Sequence, residues 1–249
     1  MPARGLSCSS VFTIEEHEAA RPWILSALKI GYRYLDTAVL YGTEGVVGKA
    51  VRESGIPREE IFVTTKLPLH QNNVSESIDV SLKKAGLDYY DLPAAVANIK
   101  DNPLPRYPGP NGGRLHCESD GVANFSVKNL KKLLETAKVV PAVNEVEMQP
   151  HQAQPELLEF YREKGIVFAA YSPTGFSFIA NDPTIVKLAE NTNAARRRAN
   201  LLELPTLSKE EVELINTLHK NVYYFSLEGP KVRDKHESVF GWTCEQMGW

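Results

Sequence analysis

The feature that most constrains the fold is a regular alternation of helix-like and strand-like stretches along most of the chain. A capping box of Thr13 and Glu16 opens the first helical pattern, which ends near Gly31. Runs rich in β-branched and aromatic residues then alternate with apolar stripes at helical spacing. Helices are predicted at 13–31, 43–54, 74–85, 126–138, 155–164, 184–190 and 208–220, and strands at 32–38, 61–65, 91–96, 122–125, 142–148 and 167–172.

This alternation predicts an α/β protein with parallel strands, because a helix between two strands returns the chain to the same end of the sheet. The dinucleotide-binding motif GxGxxG is absent, so a (β/α) barrel is favoured over an open nucleotide-binding sheet. The pattern contains about six strands, whereas a closed barrel needs eight. We therefore expect a single domain over 1–249 that forms an incomplete barrel, with losses near 1–12, 92–121 and 192–200.

Charge and cysteine content argue against several classes of function. The formal net charge is -3, so nothing favours binding to nucleic acid or to an anionic membrane. The three cysteines, Cys8, Cys117 and Cys244, form no CxxC pair, and neither disulfides nor a metal site is predicted. A signal peptide and a membrane-length apolar run are both absent from the sequence. We expect a cytoplasmic monomer that acts on a small molecule.

Three side chains suited to acid–base chemistry are predicted at the carboxyl ends of two strands. Asp36 lies at the end of the strand at 32–38, Tyr41 follows it, and Lys66 follows the strand at 61–65. In a barrel these ends face the active site. A lysine ammonium nearby lowers the pKa of a phenol, and an aspartate keeps that ammonium charged and oriented, so the trio could protonate a carbonyl oxygen. The alternative is that Tyr41 and Lys66 are merely exposed and that Asp36 caps a turn.

The sequence around this trio resembles the signature of the aldo-keto reductase family. It reads GYRYLDTA at 31–38, YGTE at 41–44 and TTKL at 64–67, and the likeness extends from about residue 16 to residue 92. The resemblance implies an incomplete (β/α)8 TIM barrel of the aldo-keto reductase type, and it assigns Asp36, Tyr41 and Lys66 to three places of a catalytic tetrad. The fourth place, a histidine, has no match, because 92–99 reads LPAAVANI. His70 and His116, the nearest histidines in sequence, are interpreted as loop residues.

The same resemblance implies NADPH as the cofactor and indicates residues for its nicotinamide. The segment GVANF at 121–125 resembles the family's GVSNF, so Asn124 would hold the nicotinamide carboxamide, although Ala123 replaces a serine. The segment NEVEMQP at 144–150 resembles NQVEMHP, and Glu145 stands where a glutamine would donate to the same carboxamide. We therefore expect a nicotinamide site that has lost part of its hydrogen bonding.

Two further segments complete the cofactor residues that the resemblance implies. In YSP at 171–173, Tyr171 would stack on the nicotinamide and Ser172 follows it. Arg196 and Asn200 match the second half of the family's motif for the 2′-phosphate of NADPH, whereas the strand that precedes this motif in relatives is absent. The alternatives are a tyrosine at the edge of the core and a solvated arginine face.

Three hypotheses about function remain open at this stage. The resemblance implies an oxidoreductase that reduces an aldehyde or ketone with NADPH, with Tyr41 as the proton donor. An inactive relative is the second hypothesis, because the histidine is missing and the barrel is incomplete. A partner-binding scaffold that uses the loop at 98–120, rich in proline and glycine, is the third.

Overall fold

The computed structural model describes residues 1–9, 14–67, 74–96, 121–175, 179, 181–190 and 207–220, together with four two-residue strands closer to the C-terminus. The chain divides into two compact units, called here the N-terminal unit (Met1–Ala123) and the C-terminal unit (Asn124–Trp249). The loop at 98–120 lies outside the described residues. Most of the segments near 92–121 and 192–200, where losses are predicted, also lie outside the described residues. These losses and the single domain stay predictions.

The described part of the N-terminal unit contains five strands that pair in chain order. Each strand lies parallel to the one before it. The strands are β1 (Leu6–Ser7), β2 (Tyr34–Asp36), β3 (Phe62–Leu67), β4 (Leu92–Val96) and β5 (Gly121–Ala123). Parallel pairing in chain order is what the predicted alternation of strands and helices requires.

The N-terminal strand is short but paired. Strand β1 pairs with β2 through Leu6 opposite Leu35 and Ser7 opposite Asp36. The backbone nitrogen of Cys8 extends this ladder by donating to the Asp36 carbonyl at 2.7 Å. Two residues therefore suffice to place the chain beside β2.

In the described part of the N-terminal unit, three helices lie between the strands, and three shorter 3-10 turns accompany them. The helices are α1 (Arg21–Ile30), α2 (Glu44–Glu53) and α3 (Val74–Ala85), and the turns cover Ile14–Ala20, Val39–Tyr41 and Arg58–Glu60. The predicted first helix thus begins later than its pattern indicates. Pro22 lies in the first turn of α1, where its missing N–H is tolerated, and the preceding residues form a 3-10 turn instead.

The core of the N-terminal unit joins these helices to β2 and β3. Ile24, Leu35, Val47, Ile61 and Val63 are among its buried members. Helices α2 and α3 pack at very short range, because a Cβ added at Gly48 would lie 1.9 Å from the Ala85 carbonyl oxygen. This contact requires glycine at that position.

The described part of the C-terminal unit contains one parallel strand pair, β6 (Val143–Glu147) and β7 (Val167–Tyr171). Its helices are α4 (Val127–Leu134), α5 (Pro155–Lys164), α6 (Pro183–Glu190) and α7 (Lys209–Asn216). Two antiparallel pairs follow, formed by β8 (Val222–Tyr223) with β9 (Lys231–Val232) and by β10 (Ser238–Val239) with β11 (Trp242–Thr243). None of the described helices is both long and apolar enough to cross a membrane.

Two helices of the C-terminal unit end earlier than predicted. Helix α4 stops at Leu134 because the next residues form a turn in which the backbone nitrogens of Thr136 and Ala137 both donate to the Leu133 carbonyl. Helix α7 stops at Asn216, and the Thr217 hydroxyl donates to the Leu214 carbonyl at 2.6 Å. Such local side-chain bonds compete with continuation of a helix.

A buried asparagine connects the first segment of the C-terminal unit to β6 and α5. The Asn144 side-chain nitrogen donates to the Phe125 carbonyl and to the Tyr161 hydroxyl, both at 2.7 Å. Its oxygen accepts from the backbone nitrogen of Phe125 at 3.3 Å. Two of these bonds hold the segment after β5 at Phe125, and the third attaches β6 to α5 at Tyr161.

Candidate active site

The structure brings together the acid–base residues that the sequence predicts in the N-terminal unit. Asp36 is the last residue of β2, and Lys66 lies near the end of the neighbouring strand β3. The Lys66 ammonium donates to both carboxylate oxygens of Asp36, at 2.6 and 2.5 Å, and to the Thr37 carbonyl at 3.3 Å. Both side chains are buried. Asp36 is thus the counter-ion of Lys66 and does not cap a turn.

Tyr41 lies on the short turn that follows β2. The Lys66 ammonium lies over its ring, 5.0 Å from the ring centroid. The turn closes at Gly42, whose φ of 71° is left-handed, and a Cβ at this position would lie 2.4 Å from a carbon of the His17 imidazole. Glycine is therefore required immediately after the tyrosine.

Burial dominates the electrostatics of this site. It raises the pKa of the Asp36 carboxyl, and the Lys66 ammonium opposes that rise. Burial also raises the pKa of the Cys8 thiol, and the negative charge of Asp36 adds to the effect. Because Asp36 and Lys66 are both buried, water screens their charges less, which strengthens the electrostatic effect of the lysine on neighbouring groups.

A set of buried polar residues around the trio was not identified from the sequence. Thr37 and Thr43 share a hydrogen bond of 2.8 Å between their hydroxyls, and Thr43 also donates to the Cys8 carbonyl at 2.9 Å. Glu44 accepts from the Thr65 hydroxyl at 2.7 Å. Their positions in the sequence could have indicated them. Thr37 follows Asp36, Thr65 precedes Lys66, and Thr43 and Glu44 follow the turn of Tyr41.

Strand β4 places no histidine beside Lys66. In the register of the parallel pair, Lys66 is opposite Ala94 and Thr65 is opposite Pro93. His70 and His116, considered from the sequence, lie outside the described residues. The part of β4 that faces the trio therefore offers only small apolar side chains.

Three predicted cofactor residues are neighbours within the C-terminal unit. The Tyr171 hydroxyl donates to the Asn124 side-chain oxygen at 2.9 Å, and the Asn124 backbone nitrogen donates to the Glu145 carbonyl at 2.8 Å. Asn124 has a φ of 61° and Ser172 one of 50°, both left-handed. Glu145 is buried. Arg196 and Asn200 lie outside the described residues, and their role stays a prediction.

Comparisons with known proteins identify the family. The sequence matches the model of the aldo/keto reductase family over residues 12–105 and 116–224. The chain belongs to this family. A glycerol 2-dehydrogenase (NADP(+)) of Saccharomyces cerevisiae is 40% identical over 205 residues, which cover 68% of this chain and 66% of that protein. An aldehyde reductase of the same yeast is 38% identical over 199 residues, which cover 67% of this chain and 63% of that protein.

A solved structure of an aldo-keto reductase supports the same conclusion for the fold. The crystal structure of MGS-M4, from a Medee basin deep-sea metagenome library, has a TM-score of 0.75 and 28% sequence identity, and the match covers 91% of this chain and 94% of that one. The predicted fold class is confirmed as an incomplete (β/α)8 barrel of the aldo-keto reductase type. The match spans slightly less than two thirds of the length of each yeast relative.

Proposed function

We propose that this aldo-keto reductase family member is an oxidoreductase that uses NADPH to reduce an aldehyde or ketone to an alcohol. The names of the two yeast relatives, a glycerol 2-dehydrogenase (NADP(+)) and an aldehyde reductase, support both the reaction and the cofactor. A small carbonyl compound is therefore the proposed substrate. A cytoplasmic location and a monomeric state belong to the same proposal.

The observation that carries the proposal is the arrangement of Lys66 between Asp36 and Tyr41. A lysine ammonium held by two carboxylate bonds and lying 5.0 Å from a phenol ring favours the phenolate that remains after proton donation. Tyr41 would donate its proton to the carbonyl oxygen, and Lys66 would stabilise the resulting negative charge on Tyr41. Asp36 would keep Lys66 charged and oriented. NADPH, when bound, would supply the hydride.

The C-terminal unit contains groups that fit a nicotinamide carboxamide. Because the Asn124 oxygen accepts from Tyr171, the orientation of its amide is fixed, and its nitrogen is the donor that a carboxamide oxygen requires. The Glu145 carboxylate can accept from a carboxamide nitrogen, although it cannot donate as the expected glutamine would. The site thus offers the Asn124 nitrogen to the carboxamide oxygen and the Glu145 carboxylate to one of the two carboxamide N–H groups.

Thermal unfolding with and without NADPH tests whether the chain binds its cofactor. A ligand present at about 100 times its dissociation constant adds roughly 2.7 kcal/mol of stability. We expect NADPH to raise the transition temperature of the wild-type chain and of Phe168→Ala, a control on the same strand as Tyr171. Tyr171→Ala should reduce the effect. A transition that NADPH does not move in the wild-type chain would contradict the proposal.

A second candidate function is that of an inactive relative that binds NADPH without turnover. The observation that favours it is Ala94 opposite Lys66, on a strand without a histidine. Loss of one group that stabilises developing charge lowers turnover about 100-fold to 1,000-fold. NADPH-induced stabilisation without NADPH oxidation, over a panel of short aldehydes and ketones, would support this candidate over the reductase.

A further inference from the structure

The turn that carries Tyr41 is held on one side by Thr43. The Thr43 hydroxyl donates its one proton to the Cys8 carbonyl at 2.9 Å, so Thr37 must be the donor in the 2.8 Å bond between the two threonine hydroxyls. All three residues are buried. Thr37 directly follows Asp36, so this bond ties the start of α2 to the end of β2.

The same turn is held on its other side by Glu44, the first residue of α2. Its Oε1 accepts from the Thr65 hydroxyl at 2.7 Å and from the Tyr90 hydroxyl at 3.5 Å. The Glu44 side chain is only 1% exposed, and its Oε2 has the Lys84 ammonium at 3.7 Å. A carboxylate is costly to bury unless it is paired and hydrogen-bonded, so its presence here calls for these partners.

The two contacts reach both strands of the acid–base trio. Thr65 directly precedes Lys66, and successive residues of a strand point to opposite faces. The bond from Thr65 to Glu44 therefore fixes β3 from the face opposite to the one on which Lys66 reaches Asp36. Together, Thr43 and Glu44 fix the start of α2 relative to the residue after Asp36 and the residue before Lys66.

We propose that Thr43 and Glu44 are positioning residues that set the spacing between the Tyr41 ring and the Lys66 ammonium. The proposal rests on the proposed role of Tyr41 as proton donor and adds the contacts that place it. Neither residue touches the reacting atoms, and each acts through its neighbour on β2 or β3. Removing either contact should let the Tyr41 turn move away from Lys66 while the ion pair of Lys66 with Asp36 stays intact.

The titration of Tyr41 tests this proposal without any need for catalysis. The ten tyrosines can be labelled with 3-fluorotyrosine, and the Tyr41 fluorine resonance is assigned by its loss in Tyr41→Phe. Thr65→Val removes the donor to Glu44 with little change of shape. We expect its Tyr41 titration midpoint to rise by about one pH unit, a roughly tenfold fall in the acid dissociation constant, because a more distant ammonium favours the phenolate less.

Two further variants and one control separate positioning from general loss of stability. Thr43→Val should move the Tyr41 midpoint in the same direction as Thr65→Val, whereas Glu44→Gln, which keeps an acceptor for Thr65, should not raise it. The control is Asp91→Asn. The buried Asp91 carboxylate accepts from the Arg58 guanidinium and from the backbone nitrogen of Val63, which lies near the start of β3, each at 2.8 Å. This variant should lower the transition temperature and leave the Tyr41 midpoint unchanged.

The outcomes distinguish this proposal from the proposed function. Unchanged midpoints in folded Thr65→Val and Thr43→Val, or an equal rise in Asp91→Asn, would overturn the positioning role. If Thr43→Val does not fold, Thr65→Val alone decides the question. Absence of NADPH-dependent reduction in the wild-type chain would contradict the proposed function only, because the fluorine titration reports the spacing of Tyr41 and Lys66 in either case.

Discussion

Strand β7 (VFAAY) is more apolar than strand β3 (FVTTKL), yet β7 is much the more exposed of the two. Val63 on β3 is fully buried, and β3 pairs with a strand on each side. On β7, Val167 and Phe168 are 51% and 46% exposed, and β7 pairs only with β6 among the described residues. Residues 63–67 of β3 are all buried, so both faces of this strand are covered, whereas β7 leaves apolar side chains in solvent, as an incomplete barrel would.

The residues proposed for function also differ between the two units. In the N-terminal unit, Asp36 and Lys66 form a buried ion pair, and Lys66 also contacts the Thr37 carbonyl and the Tyr41 ring. In the C-terminal unit, the residues proposed for the nicotinamide depart from the family pattern, with Glu145 in place of a glutamine. The N-terminal unit therefore keeps three acid–base residues together, although β4 lacks a histidine, while the C-terminal unit exposes much of its apolar strand.

The largest effect is expected from Lys66→Met, which keeps the side-chain stem but leaves Asp36 buried without a counter-ion. We expect a loss of about 3–5 kcal/mol of unfolding free energy near neutral pH. Since burial raises the pKa of folded Asp36 above its unfolded value, the variant should be most stable in acid and lose stability as the pH rises through the folded pKa.

Urea denaturation across pH measures this effect, and Lys49→Met provides the control. Lys49 pairs with Glu18 at the surface, and both side chains are about half exposed. Its replacement should change stability by less than about 1 kcal/mol. Equal stability of the two variants would mean that the ion pair is not buried in solution.

The next effect is expected from Gly48→Ala, which tests how tightly the N-terminal unit is packed. The added Cβ would lie 1.9 Å from the Ala85 carbonyl oxygen, so α2 and α3 must separate. We expect a loss of at least about 1–3 kcal/mol, the usual range for overpacking. Gly45→Ala is the matched control on the same helix, because its Cβ would meet only the Lys84 carbonyl oxygen, at 3.5 Å. A neutral Gly48→Ala in thermal unfolding would refute the close helix contact.

A pair of valine substitutions tests the contrast between β3 and β7 directly. Val63→Thr buries a hydroxyl in an apolar core and should lower the unfolding free energy by about 1–3 kcal/mol. Val167→Thr places the same hydroxyl in solvent and should change it by no more than about 0.5 kcal/mol. Urea denaturation compares the two variants. An equally large effect at Val167 would show that β7 is covered in solution.

The smallest effect is expected from Cys8, whose buried thiol lies beside Asp36. With Cys117 and Cys244 replaced by serine, Cys8 should react with an aromatic disulfide reagent only after unfolding, because burial raises its pKa and blocks access. Above the ordinary thiol pKa of 9.0, the unfolded thiol ionises and the folded thiol does not, so stability falls as pH rises. Cys8→Ala should remove this slope, and rapid labelling of the native chain would contradict the burial.

The sequence was sufficient for the alternating fold and for the approach of Asp36, Tyr41 and Lys66, because strand ends in parallel βα units share one edge. It was insufficient for contacts that depend on three-dimensional packing. The hydrogen bonds of Thr43 and Glu44 join residues up to 46 positions apart, and no periodicity encodes them. The exposure of Val167 was equally hidden, since an apolar strand reads the same whether or not another layer covers it.

The role of Tyr41 in NADPH-dependent reduction is tested most directly by NADPH oxidation in the wild-type chain with a panel of short aldehydes and ketones. Tyr41→Phe is compared with it, and Tyr32→Phe is the control outside the trio. We expect measurable oxidation in the wild-type chain and in Tyr32→Phe, and its loss in Tyr41→Phe without loss of NADPH-induced stabilisation. Oxidation that persists in Tyr41→Phe would contradict the role of Tyr41. Its absence from the wild-type chain would contradict the proposed reductase.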